Sequence, residues 1–466
     1  MRYLYILCFL IAFLFFNCIL KNNSAKTQLK QIENILDYTI SPNNPFDKSG
    51  LMFSDQGAWF AYSFPDSISS YGGFSGPFLM TQQNGVWSSQ SLVQLKLKNI
   101  DWTSMETTSY NSHLEQTFKS ESIELRQKVV YLSGHTSLIQ STLTNKSNQV
   151  LEIEYHWKNQ SILAKGLKIS TEENSVKINS SKSEAKGYLV FPKETVIKSN
   201  DSSYVTNSES FFLKPNETKE LVISQTFIFP EYSWINEEEK IKNLDFESVL
   251  NERIQEKETQ LIALIENRKP QFENNKYAEV LTKAHLTLQN NWRIPAGELK
   301  SEGLFPSYHY KWFNGFWAWD SWKHAVGLAY YNTTLAKNQM RAMFDFQNED
   351  GFIVDCVFRD TLIENHNYRD TKPPLSAWAI AKIFEKDGDL EFVKEIYPKI
   401  IKYHYWWYNK RDHDKDGLCE YGSTDGSLIA AKWESGMDNA IRFDNSKILK
   451  NEKGAFSLDQ ESVDLN

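Results

Sequence analysis

Leu151-Glu152-Ile153-Glu154-Tyr155-His156-Trp157 puts four apolar side chains on one face of an extended chain and three polar ones on the other. That period of two belongs to a strand with one buried face. Upstream, Ile123-Glu124-Leu125-Arg126-Gln127-Lys128-Val129 largely repeats it, and Asn145-Lys146-Ser147-Asn148 between the two is turn chemistry. Downstream, Leu221 to Phe229 reads as a further strand that stops at Pro230. Strands with short polar turns and no helical period predict an antiparallel β-sandwich over residues 30–230. No catalytic constellation stands out in that region, and most of its aromatic side chains are expected in the core.

The whole chain has 466 residues and a net charge of −8. That length predicts two or three domains, and a negative balance gives no footprint for nucleic acid. With 24% charged and 41% hydrophobic residues, 20 Gly and 13 Pro, the composition is that of a folded globular protein. Aromatic residues are the exception: of 14 Trp, nine lie beyond residue 290.

Residues 1–20 read as an export signal, with Arg2 ahead of the apolar run Leu4 to Phe16. The plainer alternative, a membrane anchor, is disfavoured because the run sits at the short edge of what spans a bilayer. Cys18 resembles the lipidated cysteine of a bacterial lipoprotein, although Phe16-Asn17 is a poor match to the small residues that normally precede it. An exported protein, periplasmic or tethered to the outer membrane, is therefore expected. Cys356 and Cys419 remain in the mature chain without metal-ligand spacing, and two buried free thiols are expected.

Residues 231–275 read as a linker, with one long helix over 236–268 from the spacing of Leu244, Val249, Ile254, Leu261, Leu264 and Ile265. From 276 to 466 the pattern is all-α, with helices near 276–290, 320–330, 334–347, 374–386 and 389–409. The long aromatic-rich loops 291–318 and 348–373 join them. An all-α layer with function on its loops is a toroid-like reading.

Two segments carry candidate chemistry. Trp312 to Trp322 holds four Trp in eleven residues, together with Asp320. Aromatic faces cover the C–H surfaces of a sugar while a carboxylate accepts its hydroxyl hydrogen bonds. The plainer alternative is a helix N-terminus over a buried aromatic cluster, with Asp320 as its first-turn charge. In the second segment, Trp433-Glu434-Ser435-Gly436-Met437-Asp438-Asn439, Gly436 permits a turn that aims both carboxylates into one cleft. Glycoside hydrolysis needs one protonated carboxyl for the leaving oxygen and a second carboxylate for water or attack. Two solvated acids on a surface turn is the plainer alternative.

The chain resembles bacterial members of glycoside hydrolase family 63, of the α-glucosidase type and related to mannosylglycerate hydrolase-like glycosidases. The resemblance rests on Asn291-Trp292-Arg293, Trp317-Ala318-Trp319-Asp320-Ser321-Trp322-Lys323, Thr371-Lys372-Pro373 and Tyr397-Pro398-Lys399 leading to Trp406-Trp407. It continues through Glu420-Tyr421-Gly422, Trp433 to Asp438, and Gln460-Glu461-Ser462-Val463-Asp464. The resemblance implies an (α/α)₆ toroid, of which about half is expected here, and an inverting mechanism on terminal α-linked glucose or mannose. It implies Asp438 as general acid, and Trp317, Trp319 and Asp320 lining the sugar pocket with Lys372 and Glu434 nearby. Relatives place the general base, a Glu, later in the toroid, beyond Asn466. A chain lacking it is expected to be weakly active or inactive alone, and the alternative is a non-catalytic sugar-binding or vestigial fragment. A monomer acting on an oligosaccharide, without an organic cofactor, is expected.

Arg411-Asp412-His413-Asp414-Lys415-Asp416-Gly417-Leu418-Cys419-Glu420 opens like an EF-hand calcium loop. Alternate Asp oxygens at 412, 414 and 416 converge on a hard cation, Gly417 makes the turn, and the Leu418 carbonyl takes the seventh position. Ser423 stands where the bidentate Glu belongs. Glu420 closes the segment, and the resemblance implies that Glu461 supplies the missing carboxylate. A structural calcium is expected, with a plain acidic turn as the alternative. Residues 459–466 read as the start of another helix.

Overall fold

The computed structural model describes residues 32–82, 84–310, 312–451, 453–460 and 462. The export signal, Cys18, Glu461 and most of the expected terminal helix lie outside the described residues.

The expected fold class holds: an antiparallel β-sandwich is followed by an all-α layer of toroid type. One sheet has eight antiparallel strands, in the order Leu167–Glu172, Ser175–Ser180, Lys186–Val190, Thr218–Ile228, Thr136–Asn145, Ile123–Tyr131, His113–Lys119 and Ser104–Ser109. The facing sheet is built around Leu151–Lys158, which pairs with Gln94–Leu97 on one side and with Glu209–Leu213 and Ser203–Thr206 on the other. Register follows the apolar pattern: Leu125 lies opposite Leu143, and Val129 opposite Ile139. These four share one core with Ile153, Tyr155 and Trp157, the inward face of the strand that opened the reading.

A small sheet of Phe60–Ser63, Ser75–Leu79 and Val86–Trp87 joins the sandwich to the helices. Its Phe78 and Trp87 pack in a second core with Trp322, Phe344, Ile383 and Trp407 from the helical layer.

The linker is two helices rather than the single one expected: α1 (Trp234–Lys242) and α2 (Phe246–Glu266). Asp245 is the reason. Its backbone is extended and its carboxylate accepts the Ser248 N–H at 3.0 Å, which starts a new helix. Phe246, Val249 and Leu250 of α2 cover Val130 and Leu138 on the back of the eight-stranded sheet. Leu261 and Ile265 then pack on Ala278.

Five helices match the expected ones within a few residues: α3 (Asn275–Asn291), α4 (Ala318–Leu328), α5 (Thr333–Phe344), α6 (Ser376–Asp387) and α7 (Leu390–Lys410). A short helix, α8 (Leu428–Glu434), was not anticipated. Cys356 and Cys419 are buried thiols outside any disulfide, as expected. Among the described residues, no helix is long and apolar enough to cross a membrane.

Candidate active site

Three loops and the end of α8 meet above the helical layer. Phe316 and Trp317 pair in antiparallel register with Val357 and Cys356, so the two long loops become one wall. The Ala318 N–H donates to the Asp355 carbonyl at 2.8 Å and starts α4 there. Trp319 and Asp320 therefore stand on the first turn of α4, where a carboxylate meets the positive end of the helix dipole. Both plain and functional readings of Asp320 thus describe the same residue. Ser321 fixes the turn by donating to the Trp317 carbonyl at 2.7 Å.

Beneath them lies a cluster that sequence reasoning missed, apart from Lys372. The Lys372 ammonium sits 3.2 Å from Asp355 Oδ1 and 3.2 Å from Asp370 Oδ2, and it also donates to the Trp433 carbonyl. Asn367 Nδ2 ties the same carboxylates together from the other side, at 2.8 and 2.9 Å. Two acids and one base are thus buried together. Burial opposes the Lys372 charge, but Asp355 and Asp370 outweigh it and raise its pKa. Burial, and then the neighbouring Asp355, push the Asp370 carboxyl up to about 8. Asp355 is raised as well, by burial first, with Lys372 opposing and Asp438 adding to the rise. Asp320 is raised by burial, partly offset by Lys323.

Glu434 is fully buried behind this floor. Its oxygens accept from Arg411 Nε at 2.7 Å, from Arg411 Nη2 at 2.8 Å, from the Thr371 N–H at 3.2 Å and from the Gly422 N–H. A carboxylate has about four acceptor sites, and protein donors occupy that number. Glu434 therefore positions the loop carrying Asp370 and Lys372, and the structure places it behind the pocket wall. Lys372 is enclosed in the same way.

Trp317, Trp319 and Asp320 are half-buried, and Asp438 is exposed. After α8 the chain turns at Gly436, whose φ is +69°. A Cβ there would stand 2.5 Å from the Trp319 ring, so only glycine lets the turn close over that indole. The exposed Asp438 follows two residues later, close enough to act on Asp355. Asp355 and Asp370 lacked a motif of their own, although Asp370 stands two residues before Lys372. An apolar cleft of about 550 Å³ between α6 and α7 is lined by Ile380, Phe384, Tyr397 and Ile401, and by none of these polar groups. Convergent polar groups, not volume, mark the candidate site.

The candidate metal loop lies beside α7. Oxygens of Asp412, Asp414 and Asp416 fall within 4.8 Å of one another. Lys415 and Gly417, at φ +68° and +94°, fold the loop back. Asp412 Oδ2 accepts the Gly417 N–H at 3.2 Å, while its Oδ1 is shielded without a hydrogen-bond partner. Glu420 is buried and turned to the loop start, accepting the His413 N–H at 2.9 Å. The Leu418 N–H donates to Asp416 at 2.8 Å. An oxygen-only donor set with one idle carboxylate oxygen suits a hard cation.

The fold thus joins a sandwich to a helical toroid layer, with aromatic rings and carboxylates on the toroid loops. Comparison with known proteins agrees. A family model described as mannosylglycerate hydrolase MGH1-like glycoside hydrolase domain matches residues 314–459, and one described as glucosidase YgjK, N-terminal, matches residues 33–180. The resemblance to a glycoside hydrolase family 63-like glycosidase family is borne out. The mannosylglycerate hydrolase of Thermus thermophilus is 29% identical over 182 residues, 35% of this chain and 40% of that protein. Mannosylglycerate hydrolase MGH2 of Selaginella moellendorffii is 26% identical over 176 residues, 34% of this chain and 32% of that protein. The chain thus spans well under half the length of these relatives. A solved structure named as a candidate kojibiose phosphorylase from human microbiome aligns with 82% of this chain and 62% of its own, at a TM-score of 0.54 and 9% identity. That likeness concerns the fold alone.

Proposed function

We propose that the protein is an exported glycoside hydrolase that removes a terminal α-linked glucose or mannose from a larger sugar, with inversion. The observation that supports this reading is the Gly436 turn, which packs on Trp319 beside Asp320 and leads to Asp438, close enough to act on Asp355. In this account the indoles cover the apolar face of the terminal sugar. Asp320 accepts its hydroxyls, held in place by the helix start and by the Lys372 floor below. Asp438 gives its proton to the glycosidic oxygen. The water-activating partner is assigned to no residue of this chain; on the family resemblance it is a Glu later in the toroid. A calcium ion held by Asp412, Asp414, Asp416, the Leu418 carbonyl and Glu420, with Glu461 added, would supply structural rigidity and no chemical step. The active protein is taken to be a monomer.

The test uses the protein with its complete toroid, given α-linked glucose and mannose disaccharides, with nuclear magnetic resonance following the first-formed anomer. The account expects a β-anomer product, and loss of turnover in Asp438→Asn with sugar binding retained. An α-anomer product would remove the inverting mechanism, and an unchanged rate in the variant would remove Asp438 as acid.

A further inference from the structure

A row of rings climbs out of the candidate pocket. Phe358, 3% exposed, meets Trp317 edge to face at 5.7 Å. Trp317 meets Phe313 edge to face at 5.3 Å, and Phe313 meets Tyr310 at 5.3 Å. Exposure rises along the row, to 38% at Phe313 and 53% at Tyr310. The outer two rings therefore present apolar faces to solvent at the mouth of the pocket.

Their loop is held in place by the sandwich. Tyr308 Oη accepts the Met52 N–H at 3.1 Å and donates to the Met52 carbonyl. His309 bonds the Gly50 carbonyl at 3.1 Å, and Asn314 Nδ2 donates to Asn84 Oδ1 at 3.3 Å. A platform fixed in advance loses little freedom on binding.

The charges around the pocket discriminate between leaving groups. Arg359 pairs with Glu184 and Asp360, and Arg369 with Asp425 at 2.7 Å. Lys372 is taken by Asp355 and Asp370, while Lys323 lies over the Trp319 ring at 3.3 Å, beside Asp320. Among the described residues, an anionic leaving group would find these four cations already engaged, and would face the carboxylate of Asp320. Like charges brought together in that way cost affinity.

Resting on the pocket reading above, we propose that Phe313 and Tyr310 form the platform for the leaving group, and that this group is a neutral sugar rather than an anion such as glycerate. One pyranose stacks on Trp317 and Trp319 inside the pocket, and the next lies over the outer rings.

Calorimetric titration of the 466-residue chain tests this with four probes: glucose, mannose, the α-linked disaccharide of whichever binds, and α-mannosylglycerate. The neutral disaccharide is expected to bind about tenfold more tightly than its monosaccharide, the scale of one aromatic contact. Tyr310→Ala with Phe313→Ala should erase that gain while monosaccharide binding persists, which also reports that the variant is folded. Binding of mannosylglycerate as tight as that of the neutral disaccharide overturns the proposal. So does a gain that survives the double substitution. Failure of both monosaccharides to bind overturns the pocket assignment itself, and the platform with it.

Discussion

Asp370 shows how much one buried carboxyl dictates. Burial, and then Asp355, push it up to about 8, so the pair it forms with Asp355 keeps a proton in the folded protein that the unfolded chain sheds near pH 4. The folded form then binds more protons than the unfolded one across that interval. Its contribution to stability is therefore complete below about pH 4 and declines as pH rises toward about 8, by up to about 1.4 kcal/mol per pH unit. Asp370→Asn removes one member of the pair, and with it the shared proton. Melting curves between pH 5 and pH 9 should show the wild type losing stability relative to this variant up to about pH 8, with the difference constant above. Parallel profiles would contradict the assignment of the proton. The same cluster shows where reading residues in line fails. Asp355, Asp370 and Asn367 carry no spacing signal, because what makes them a unit is the ladder beside Asp355 and the fold-back of the same loop that brings Asn367, Asp370 and the Lys372 ammonium to it.

Among the elements, helices were legible wherever apolar residues recurred at helical spacing, and α3 to α7 lie where that spacing put them. The linker was misread because the apolar positions run on through Leu244, while the cap at Asp245 decides the break. The short α8 has too few turns to show a period, yet it carries Glu434 and aims the Gly436 turn. The sandwich was legible from alternation alone. Of the candidate site, the tryptophans and Asp320 announced themselves by density, but the ranking of Asp438 came from the resemblance. The 412–420 loop makes its own prediction. Calcium bound there would join the end of α7 to the strands that follow, so adding a chelator should lower the melting temperature, and restoring calcium should recover it. Asp414→Asn should weaken the response. A melting temperature indifferent to calcium would leave a plain acidic turn.

The whole molecule is tied across its two layers by buried polar contacts as well as by a shared core. Lys257 of α2 reaches Asp55 at 2.6 Å with both side chains buried. His285 of α3 bridges Asn111 of the sandwich and Gln260 of α2, at 2.9 and 2.8 Å. Removing one partner of a buried pair strands the other charge. Lys257→Met should therefore cost about 3–5 kcal/mol in denaturant unfolding, and Asp55→Asn in the same chain should return part of it. A loss under about 1 kcal/mol, the scale of an exposed pair, would show the contact to be dispensable. This seam keeps the sandwich in place beneath the loop that bears Tyr310 and Phe313, and so links fold to site. The central claim is that Trp317, Trp319, Asp320 and Asp438 enclose one terminal sugar. A crystal structure of the Asp438→Asn variant with an α-linked disaccharide tests it most directly. The terminal ring should lie against the Trp317 and Trp319 indoles with a hydroxyl on Asp320, and the glycosidic oxygen should be about 2.6–3.2 Å from the residue 438 side chain. A disaccharide seated in the apolar cleft between α6 and α7, or one whose glycosidic oxygen points away from residue 438, would contradict the account.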